Sequence, residues 1–277
     1  MPYVGLDGDV QVKFVGGAFG AFDRVISGEQ TPGGGFEHAE GVGGQDEVIW
    51  QMLEPQTTLE TYVQSTMPAH ALRAAVNELP QSIDSLDLGL PGVEMTSHTT
   101  CYINSVKLSC EKGGAAKASY EILGLTATQS AVTAAATAIG QGYIAEWFAS
   151  TVLFGTYAYG CNSWESSLEN GLSHETSLDS GTAGYLRQPD SIKPGNMKVS
   201  LRAEFQSPPD VDMTADRPGT YAFVAQLGRA TGGVLTHTVT NLRVTSMPQK
   251  VASGEEDITW EIELEACYND LDAWSFG

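Results

Sequence analysis

Residues 161–205 read CNSWESSLENGLSHETSLDSGTAGYLRQPDSIKPGNMKVSLRAEF, and this stretch decides the fold class. Its two ends, residues 162–168 and 197–205, alternate apolar and polar side chains with the period of two that is typical of a strand with one buried face. The segment between them is rich in turn-forming residues and ends in Pro194-Gly195. The pattern predicts two strands of one sheet, joined by a loop that projects outward.

A second strand pair precedes this stretch. Residues 102–109 (YINSVKLS) and 115–123 (AAKASYEIL) lie on either side of the turn Glu111-Lys112-Gly113-Gly114. Alternating apolar positions on both sides of a Gly-Gly turn predict a β-hairpin.

A third strand pair closes the chain, at residues 238–246 and 258–267. In the last strand, ITWEIELEAC, apolar side chains alternate with Glu261, Glu263 and Glu265. Such alternation gives a strand one apolar face and one polar face, as in antiparallel sheets with one solvated side. Together the three pairs predict a mainly β, antiparallel barrel or sandwich.

The N-terminal region divides into a strand region, residues 1–27, and a glycine-rich segment, residues 28–46 (GEQTPGGGFEHAEGVGGQD). Because glycine is conformationally permissive, the second segment is predicted to be a long loop or arm without regular structure. It lacks the G-x-x-x-x-G-K-[ST] spacing of a phosphate-binding loop. Contact with a neighbouring subunit is the favoured interpretation.

Two short helices are predicted beside the sheet. Residues 68–79 (PAHALRAAVNEL) have helical spacing after a proline, and residues 221–229 (YAFVAQLGR) are predicted to form a helix over an open sheet end. Strands are predicted at residues 48–53 and 57–63. The Ala-rich residues 127–160 are interrupted too often to span a bilayer, so we interpret them as core and subunit contact.

The 277-residue chain carries 34 Asp and Glu against 14 Lys and Arg, a net charge of −20. The carboxylates are scattered between apolar runs, which indicates a folded acidic surface. Because phosphate binding needs clustered Lys and Arg, the composition argues against nucleic-acid-binding and membrane-binding proteins. An acidic, lysine-poor surface also suits a halophilic source, where a Debye length of about 3 Å at molar salt screens the self-repulsion. The first residues, MPYVGLDGDV, show no secretory signal.

Four cysteines, Cys101, Cys110, Cys161 and Cys267, are spread along the chain without a C-x-x-C pair. This spacing argues against a zinc ribbon or a thioredoxin-like site and favours buried free thiols. A disulfide between Cys101 and Cys110 across a hairpin stays open at this point.

No motif in the sequence predicts catalysis. Leu178-Asp179-Ser180-Gly181 matches the tetrapeptide of aspartic proteases, but those enzymes use two such carboxylates and the sequence holds one copy. Glu261 with Glu263 is a candidate carboxylate pair for glycoside hydrolysis, as is Glu165 with Glu169. A solvated acidic stripe is the ordinary explanation for the first pair. We therefore predict no enzymatic activity, no cofactor and no metal.

The central stretch resembles the tail tube (major tail) proteins of tailed bacteriophages and archaeal tailed viruses. The resemblance is carried by residues 162–172 (NSWESSLENGL), by Leu186-Arg187-Gln188-Pro189, and by Ile192-Lys193-Pro194-Gly195 before the long strand at 197–205. In that family a strand leads through a loop to a Pro-Gly turn and a long return strand. The other two hairpins are similar to hairpins of the family, so the resemblance covers roughly residues 45–267. The Ala-rich region and the strong acidity depart from it.

The resemblance implies a single domain over residues 1–277, a β-barrel or sandwich with one or two short flanking helices and long loops. It implies a structural virion protein that forms hexameric or trimeric, pseudo-hexameric rings stacked into a hollow tube. Viral DNA would pass transiently through this tube without sequence-specific binding. Further implied partners are the terminator, baseplate or tip, and tape-measure proteins, with assembly in the host cytoplasm and a final location in the virion tail.

Three sets of residues are expected to make the contacts of such a tube. The lumen-facing candidates are Glu261, Glu263 and Glu265. The candidates for contact between successive rings are Gly33, Gly34, Gly35, Phe36, Glu37, His38, Gly43 and Gly44. The candidates for contact within a ring are Glu175, Asp179, Arg187 and Asp190, from the loop of the central stretch.

The alternative interpretation is an acidic β-sandwich binding module, secreted or on a surface, with a carbohydrate or protein ligand. The missing signal sequence and the lack of an obvious aromatic platform argue against it.

Overall fold

The computed structural model describes residues 9–14, 19–22, 25–33, 36–40, 46–50, 53–63, 79–80, 82–90, 94–130, 137–139, 144–176, 188–211, 219–228, 234–250, 258–266 and 274–276. All regular structure within these ranges is β-strand, and none of it is helix.

Eleven strands come from the first half of the chain: β1 Asp9–Phe14, β2 Phe19–Phe22, β3 Val25–Thr31, β4 Phe36–Glu40, β5 Asp46–Trp50, β6 Gln56–Tyr62, β7 Ile83–Leu90, β8 Glu94–Glu111, β9 Lys117–Leu123, β10 Thr126–Ser130 and β11 Thr137–Ile139. The others are β12 Glu146–Phe154, β13 Tyr157–Ala158, β14 Cys161–Glu169, β15 Ser173–Glu175, β16 Ser191–Lys193, β17 Lys198–Phe205, β18 Tyr221–Gly228, β19 Val234–Ser246, β20 Gln249–Lys250, β21 Thr259–Ala266 and β22 Trp274–Phe276.

Ten strands form one antiparallel surface, which we call the main wall. Its order is β3, β6, β9, β8, β14, β17, β21, β19, β18 and β12. The wall has an inner face, which carries the core, and an outer face, which carries polar and charged side chains. Inward and outward positions alternate along β17, whose burial pattern has a period of two, as expected for a half-buried strand.

A smaller group of strands, the side wall, runs β10, β8, β7, β1, β2 and β11. The 18-residue strand β8 belongs to both walls. Its first part pairs with β7 and β10, and its second part pairs with β9 and β14. Near the changeover Thr100 has a φ of 51°, which is uncommon for a β-branched residue.

The described strands of the main wall do not close into a barrel, so the architecture is sandwich-like. At one point the chain just before β12, at one end of the wall, approaches β6 and β9 near the other end. Three backbone amides form a ring there: Val63 donates to Ala116, Ala116 to Ala145, and Ala145 to Val63, over 2.8 to 3.0 Å. All three residues are nearly inaccessible to solvent, so these hydrogen bonds form in a dry environment, where an unpaired amide would be costly.

The core lies against the inner face of the main wall. It contains Trp164, Leu201, Phe205, Phe223 and Ile262, each at most 2% exposed. These residues come from the four strands β14, β17, β18 and β21. Their side chains pack into one core, which holds these strands together. Burial of each such side chain stabilises the fold by about 1.5–3 kcal/mol.

All three predicted strand pairs are confirmed. β14 and β17 pair along their whole length, residues 161–169 with residues 198–205. β8 and β9 form the second pair, and β19 and β21 form the third. The mainly β fold class is confirmed as well.

The predicted helix at residues 221–229 is wrong. Those residues form strand β18, which pairs with β12 and β19. Phe223, Ala225 and Leu227 are all buried, and their spacing of two matches a strand. The helix predicted at residues 68–79 lies outside the described residues, apart from Leu79.

The prediction that residues 28–46 lack regular structure is also wrong. β3 continues to Thr31, and β4 pairs with β5 over five residue pairs. The non-glycine runs between the glycine clusters are long enough to form strands that hydrogen-bond to a partner.

A disulfide between Cys101 and Cys110 is excluded by the fold. Both residues lie on β8, and nine residues of strand span about 30 Å, far beyond the limit of about 7 Å between Cα atoms. Cys101, Cys110 and Cys161 are free and buried. Burial raises the pKa of each thiol to about 12, so they are poor nucleophiles.

Candidate functional site

Charged side chains of neighbouring strands share the outer face of the main wall. Register places Glu165 of β14 opposite Arg202 of β17, and Arg202 opposite Glu263 of β21. Directly opposed residues have Cβ atoms about 4.5–5.5 Å apart, so carboxylates flank the guanidinium on both sides. We call the charged residues that β8, β14, β17, β21 and β19 place on this face the charge ladder. Its members are Lys107, Lys198, Arg202, Arg243, Glu111, Glu165, Glu169, Glu204, Glu261, Glu263 and Glu265.

Arg202 and Glu261 form the central ion pair of the ladder. Nε and Nη2 of Arg202 both donate to Oε1 of Glu261. The Glu261 side chain is only 6% exposed, whereas that of Arg202 is 58% exposed. The hydrogen bond to Glu261 is the main cause that raises the pKa of Arg202, and the charges of Glu263 and Glu165 add to it. The guanidinium is thus held among three carboxylates.

Three other cations of the outer face also contact a glutamate on a neighbouring strand. Lys107 Nζ lies 2.7 Å from Glu165, Lys198 Nζ lies 3.2 Å from Glu265, and further along the wall Lys117 Nζ lies 3.3 Å from Glu60. These pairs are largely exposed, so each contributes at most about 1 kcal/mol to stability. They matter for the charge of the surface, because in each pair a glutamate neutralises a lysine.

The three lumen-facing candidates therefore differ from one another. Glu263 and Glu265 are exposed on the outer face, as alternation predicts. Glu261 is 5% exposed and ion-paired, so the expectation that all three glutamates face water is wrong for Glu261. Sequence reasoning missed Arg202, whose position opposite Glu263 follows only from the strand register.

The candidate ring-contact segment is a hairpin with a narrow base. Pro32 O accepts from Glu54 N at 3.0 Å. Gly33 has a φ of +63°, and a Cβ there would lie 2.5 Å from Glu54 O, so only glycine fits. Phe36, Glu37 and His38 lie on β4; Gly34, Gly35, Gly43 and Gly44 lie outside the described residues.

The loop of the central stretch begins as a second small hairpin, β15 with β16. At its base Gly171 and Gly195 cross so closely that a Cβ on Gly195 would lie 2.0 Å from Gly171 O. Leu172 N donates to Asn104 Oδ1 at 2.7 Å, and Asn170 Nδ2 donates to Ile103 O at 2.9 Å. These bonds to β8 fix the direction in which the hairpin leaves β14.

Two of the four candidates for contact within a ring lie on this hairpin. Glu175 pairs with Lys193 and accepts from Ser191 at 3.0 Å, and these bonds lower the pKa of its carboxyl. Asp190 N donates to Glu175 O at 2.9 Å. The structure thus brings Glu175 and Asp190 together, whereas Asp179 and Arg187 lie outside the described residues.

A buried polar network in the core was not predicted from the sequence. Trp274 Nε1 donates to Ser166 Oγ at 2.8 Å, and Ser166 Oγ lies 3.0 Å from His237 Nε2. His237 Nδ1 lies 3.1 Å from Ser275 O, a carbonyl that can only accept. Nδ1 therefore carries the proton, so Ser166 donates to Nε2. The network connects β14, β19 and the C-terminal strand β22.

The Ser166–His237 pair has the separation of a nucleophile and its general base, but not the setting. Both residues are 0% exposed, and Ser166 Oγ already accepts a hydrogen bond from the Trp274 indole. Rings of Trp164 and Trp274 lie 6.0 Å and 4.9 Å from the His237 ring. The pair is part of the core, and a substrate has no space there.

Two further features are absent from the described part of the chain. It holds no group of three or more His, Cys, Asp or Glu side chains arranged to bind a metal ion. Nor does it contain a helix with the length and hydropathy needed to cross a bilayer.

Comparison with known proteins gives one result for the whole chain. Residues 3–266 match the family model described as phage tail tube protein. No curated protein matches the chain significantly.

Proposed function

Because the chain belongs to the phage tail tube protein family, we propose that it forms stacked rings whose hollow centre conducts viral DNA. The observation that carries this proposal is the family match, which spans nearly all of the 277 residues. The antiparallel main wall supports it, since a continuous sheet with one apolar and one polar face suits the wall of a tube. The subunit is a structural protein of the virion tail.

The test of this function is direct imaging. Negative-stain microscopy of the purified chain at several salt concentrations should show tubes of uniform width. Higher salt should favour them, because it screens the repulsion between subunits of charge −20. Dispersed particles at every salt concentration would contradict the proposal.

We place the charge ladder on the lumen, with Glu263 and Glu265 in contact with the water of the bore. DNA carries a negative charge about every 1.7 Å of its axis, so free cations on a lumen would hold it and an acidic surface lets it slide. The exposure of both glutamates on one face supports this assignment.

Changing Glu263 and Glu265 to lysine is expected to leave tubes intact and to slow DNA ejection from virions several-fold, since each new cation contacts phosphate. Glu261 is kept because it holds Arg202. Ejection is followed by dye fluorescence after triggering. An Asp210→Lys virion is the control, because this exposed residue lies in the loop after β17. Unchanged ejection in the double variant, with tubes confirmed by microscopy, would refute the lumen assignment.

We assign the β4–β5 hairpin to the contact between successive rings. Its two strands pair only with each other among the described residues. Because it forms no ladder with another strand of the described part of the subunit, its edges are available to a neighbouring subunit, which supports this role.

Deleting residues 34–52 should give folded subunits that do not polymerise. The deletion joins Gly33 to Leu53, and the existing bond from Glu54 N to Pro32 O becomes the closing bond of a two-residue turn with glycine at a positive φ. β3 and β6 stay paired. Circular dichroism checks the fold and microscopy checks assembly; normal tubes would show that the hairpin is dispensable.

We further propose that Glu175, Asp179, Arg187 and Asp190 lie at contacts within a ring, and that rings are hexameric or trimeric and pseudo-hexameric. Contacts with the terminator, baseplate or tip, and tape-measure proteins belong to the same proposal, as does assembly in the host cytoplasm. The net charge of −20 supports a halophilic source.

A further inference from the structure

We propose that the charge ladder is a masked polyanion-binding surface, in which the glutamates keep cations on neighbouring strands from contacting DNA phosphates. This inference rests on the proposed function only in naming DNA as the polyanion, because the masking itself is a property of the isolated subunit. In this proposal the glutamates neutralise the cations of the ladder and leave a small net negative charge. The ladder is therefore not a uniformly acidic surface.

The distribution of cations is the first argument. The whole chain has 14 Lys and Arg, and four of them, Lys107, Lys198, Arg202 and Arg243, share the outer face of five consecutive strands. Four cations on one patch are enough to bind DNA weakly when nothing opposes them. A chain this acidic would be expected to place few cations on a surface that DNA passes.

The position of the carboxylates is the second argument. Arg202 donates twice to Glu261, Lys107 contacts Glu165, and Lys198 contacts Glu265. Arg243 lies directly opposite Glu265 in the register of β19 and β21. Each cation of the ladder thus has a glutamate on a neighbouring strand.

The balance of charge is the third argument. The ladder has four cations and seven carboxylates, which leaves three negative charges. Three of the glutamates contact cations, and Glu263 lies opposite Arg202. Neutralising those four glutamates would turn the net charge of the patch to one positive charge while leaving its shape nearly unchanged.

The test uses the purified, full-length chain and a fluorescent DNA duplex of about 20 base pairs, whose binding is followed by anisotropy over a salt range of about 20–200 mM. The unmasked variant carries Glu165→Gln, Glu261→Gln, Glu263→Gln and Glu265→Gln. The matched control gains the same charge outside the ladder strands through Glu54→Gln, Asp84→Asn, Asp190→Asn and Asp210→Asn.

The unmasked variant is expected to bind the duplex at least about tenfold more tightly than the natural chain or the control, with a log–log salt slope of about −2 to −3. Adding Arg202→Gln should remove most of this gain. If the variant fails to fold, the double variant Glu165→Gln with Glu265→Gln changes exposed residues only and should show a smaller gain.

Equal binding by the unmasked variant and the control would overturn the inference, as would a folded unmasked variant that does not bind DNA at the lowest salt. These outcomes are separate from a failure of the proposed function, which shows as a lack of tubes for the natural chain. If the natural chain forms tubes but the unmasked variant gains no DNA binding, the proposed function stands and only the masking is contradicted.

Discussion

Replacing Trp274 with alanine is expected to lower the free energy of unfolding by about 4 kcal/mol, within the range of about 3–5 kcal/mol for buried Trp or Phe changed to Ala. Trp274 is 1% exposed and packs its ring 4.9 Å from the His237 ring. Its loss removes apolar contact and also the donor to Ser166. Urea unfolding followed by fluorescence or circular dichroism measures the change.

Two milder variants separate packing from hydrogen bonding. Trp274→Phe keeps much of the ring and loses the Nε1 donor, so we expect a loss of about 1–2 kcal/mol. Ser166→Ala leaves both Trp274 Nε1 and His237 Nε2 without this partner, with an expected loss of about 1–3 kcal/mol. If Trp274→Ala cost less than Trp274→Phe, the C-terminal strand would not be docked as described.

Acid is expected to destabilise the subunit between pH 6.5 and pH 4 through two buried histidines. Burial lowers the pKa of His237 to about 4; burial and then the charge of His174 do the same for His98. In the unfolded chain both rings protonate near 6.5, so the histidine contribution is complete above that pH. As the pH falls the unfolded state takes up protons that the fold excludes, which costs about 3 kcal/mol for each histidine by pH 4.

The geometry of His98 supports the direction of this effect. The ring is 0% exposed, its Nδ1 lies 3.0 Å from Thr57 Oγ1, and its Nε2 has no hydrogen-bond partner among the described residues. A proton on that nitrogen would therefore be buried without an acceptor.

Urea titrations at pH 7, 6, 5 and 4 give the unfolding free energy as a function of pH. In the middle of the range its slope should correspond to about two more protons bound by the unfolded state than by the folded state. His98→Gln should reduce the slope by about one proton, whatever it does to stability at pH 7. A natural chain whose stability is flat from pH 6.5 to pH 4.5 would contradict the burial of neutral histidines.

The sequence predicts much of the main wall because its strands are half-buried. Period-two alternation marks β8, β9, β14, β17 and β21, and turn residues mark where they end. The same logic should have identified β18, where Phe223, Ala225 and Leu227 alternate. A short apolar run with few β-branched residues reads equally well as a helix or a strand, and only its pairing with β12 and β19 decides.

The charge ladder was only half visible in the sequence. Glu261, Glu263 and Glu265 stand out because they are two residues apart in one strand. Arg202 is nearly 60 residues earlier, and its contact with Glu261 depends on strand register. The network of Ser166, His237 and Trp274 depends in addition on contacts across the core, for which a single sequence has no local signal.

Strand β8 has a consequence for cooperativity. Its first part is bonded on both sides within the side wall, and its second part on both sides within the main wall. Neither wall can lose its ordered structure without disturbing a strand that has partners on both sides in the other wall. We therefore expect the two walls to unfold together as one unit. A cut of the chain within β8 would yield no fragment able to fold alone.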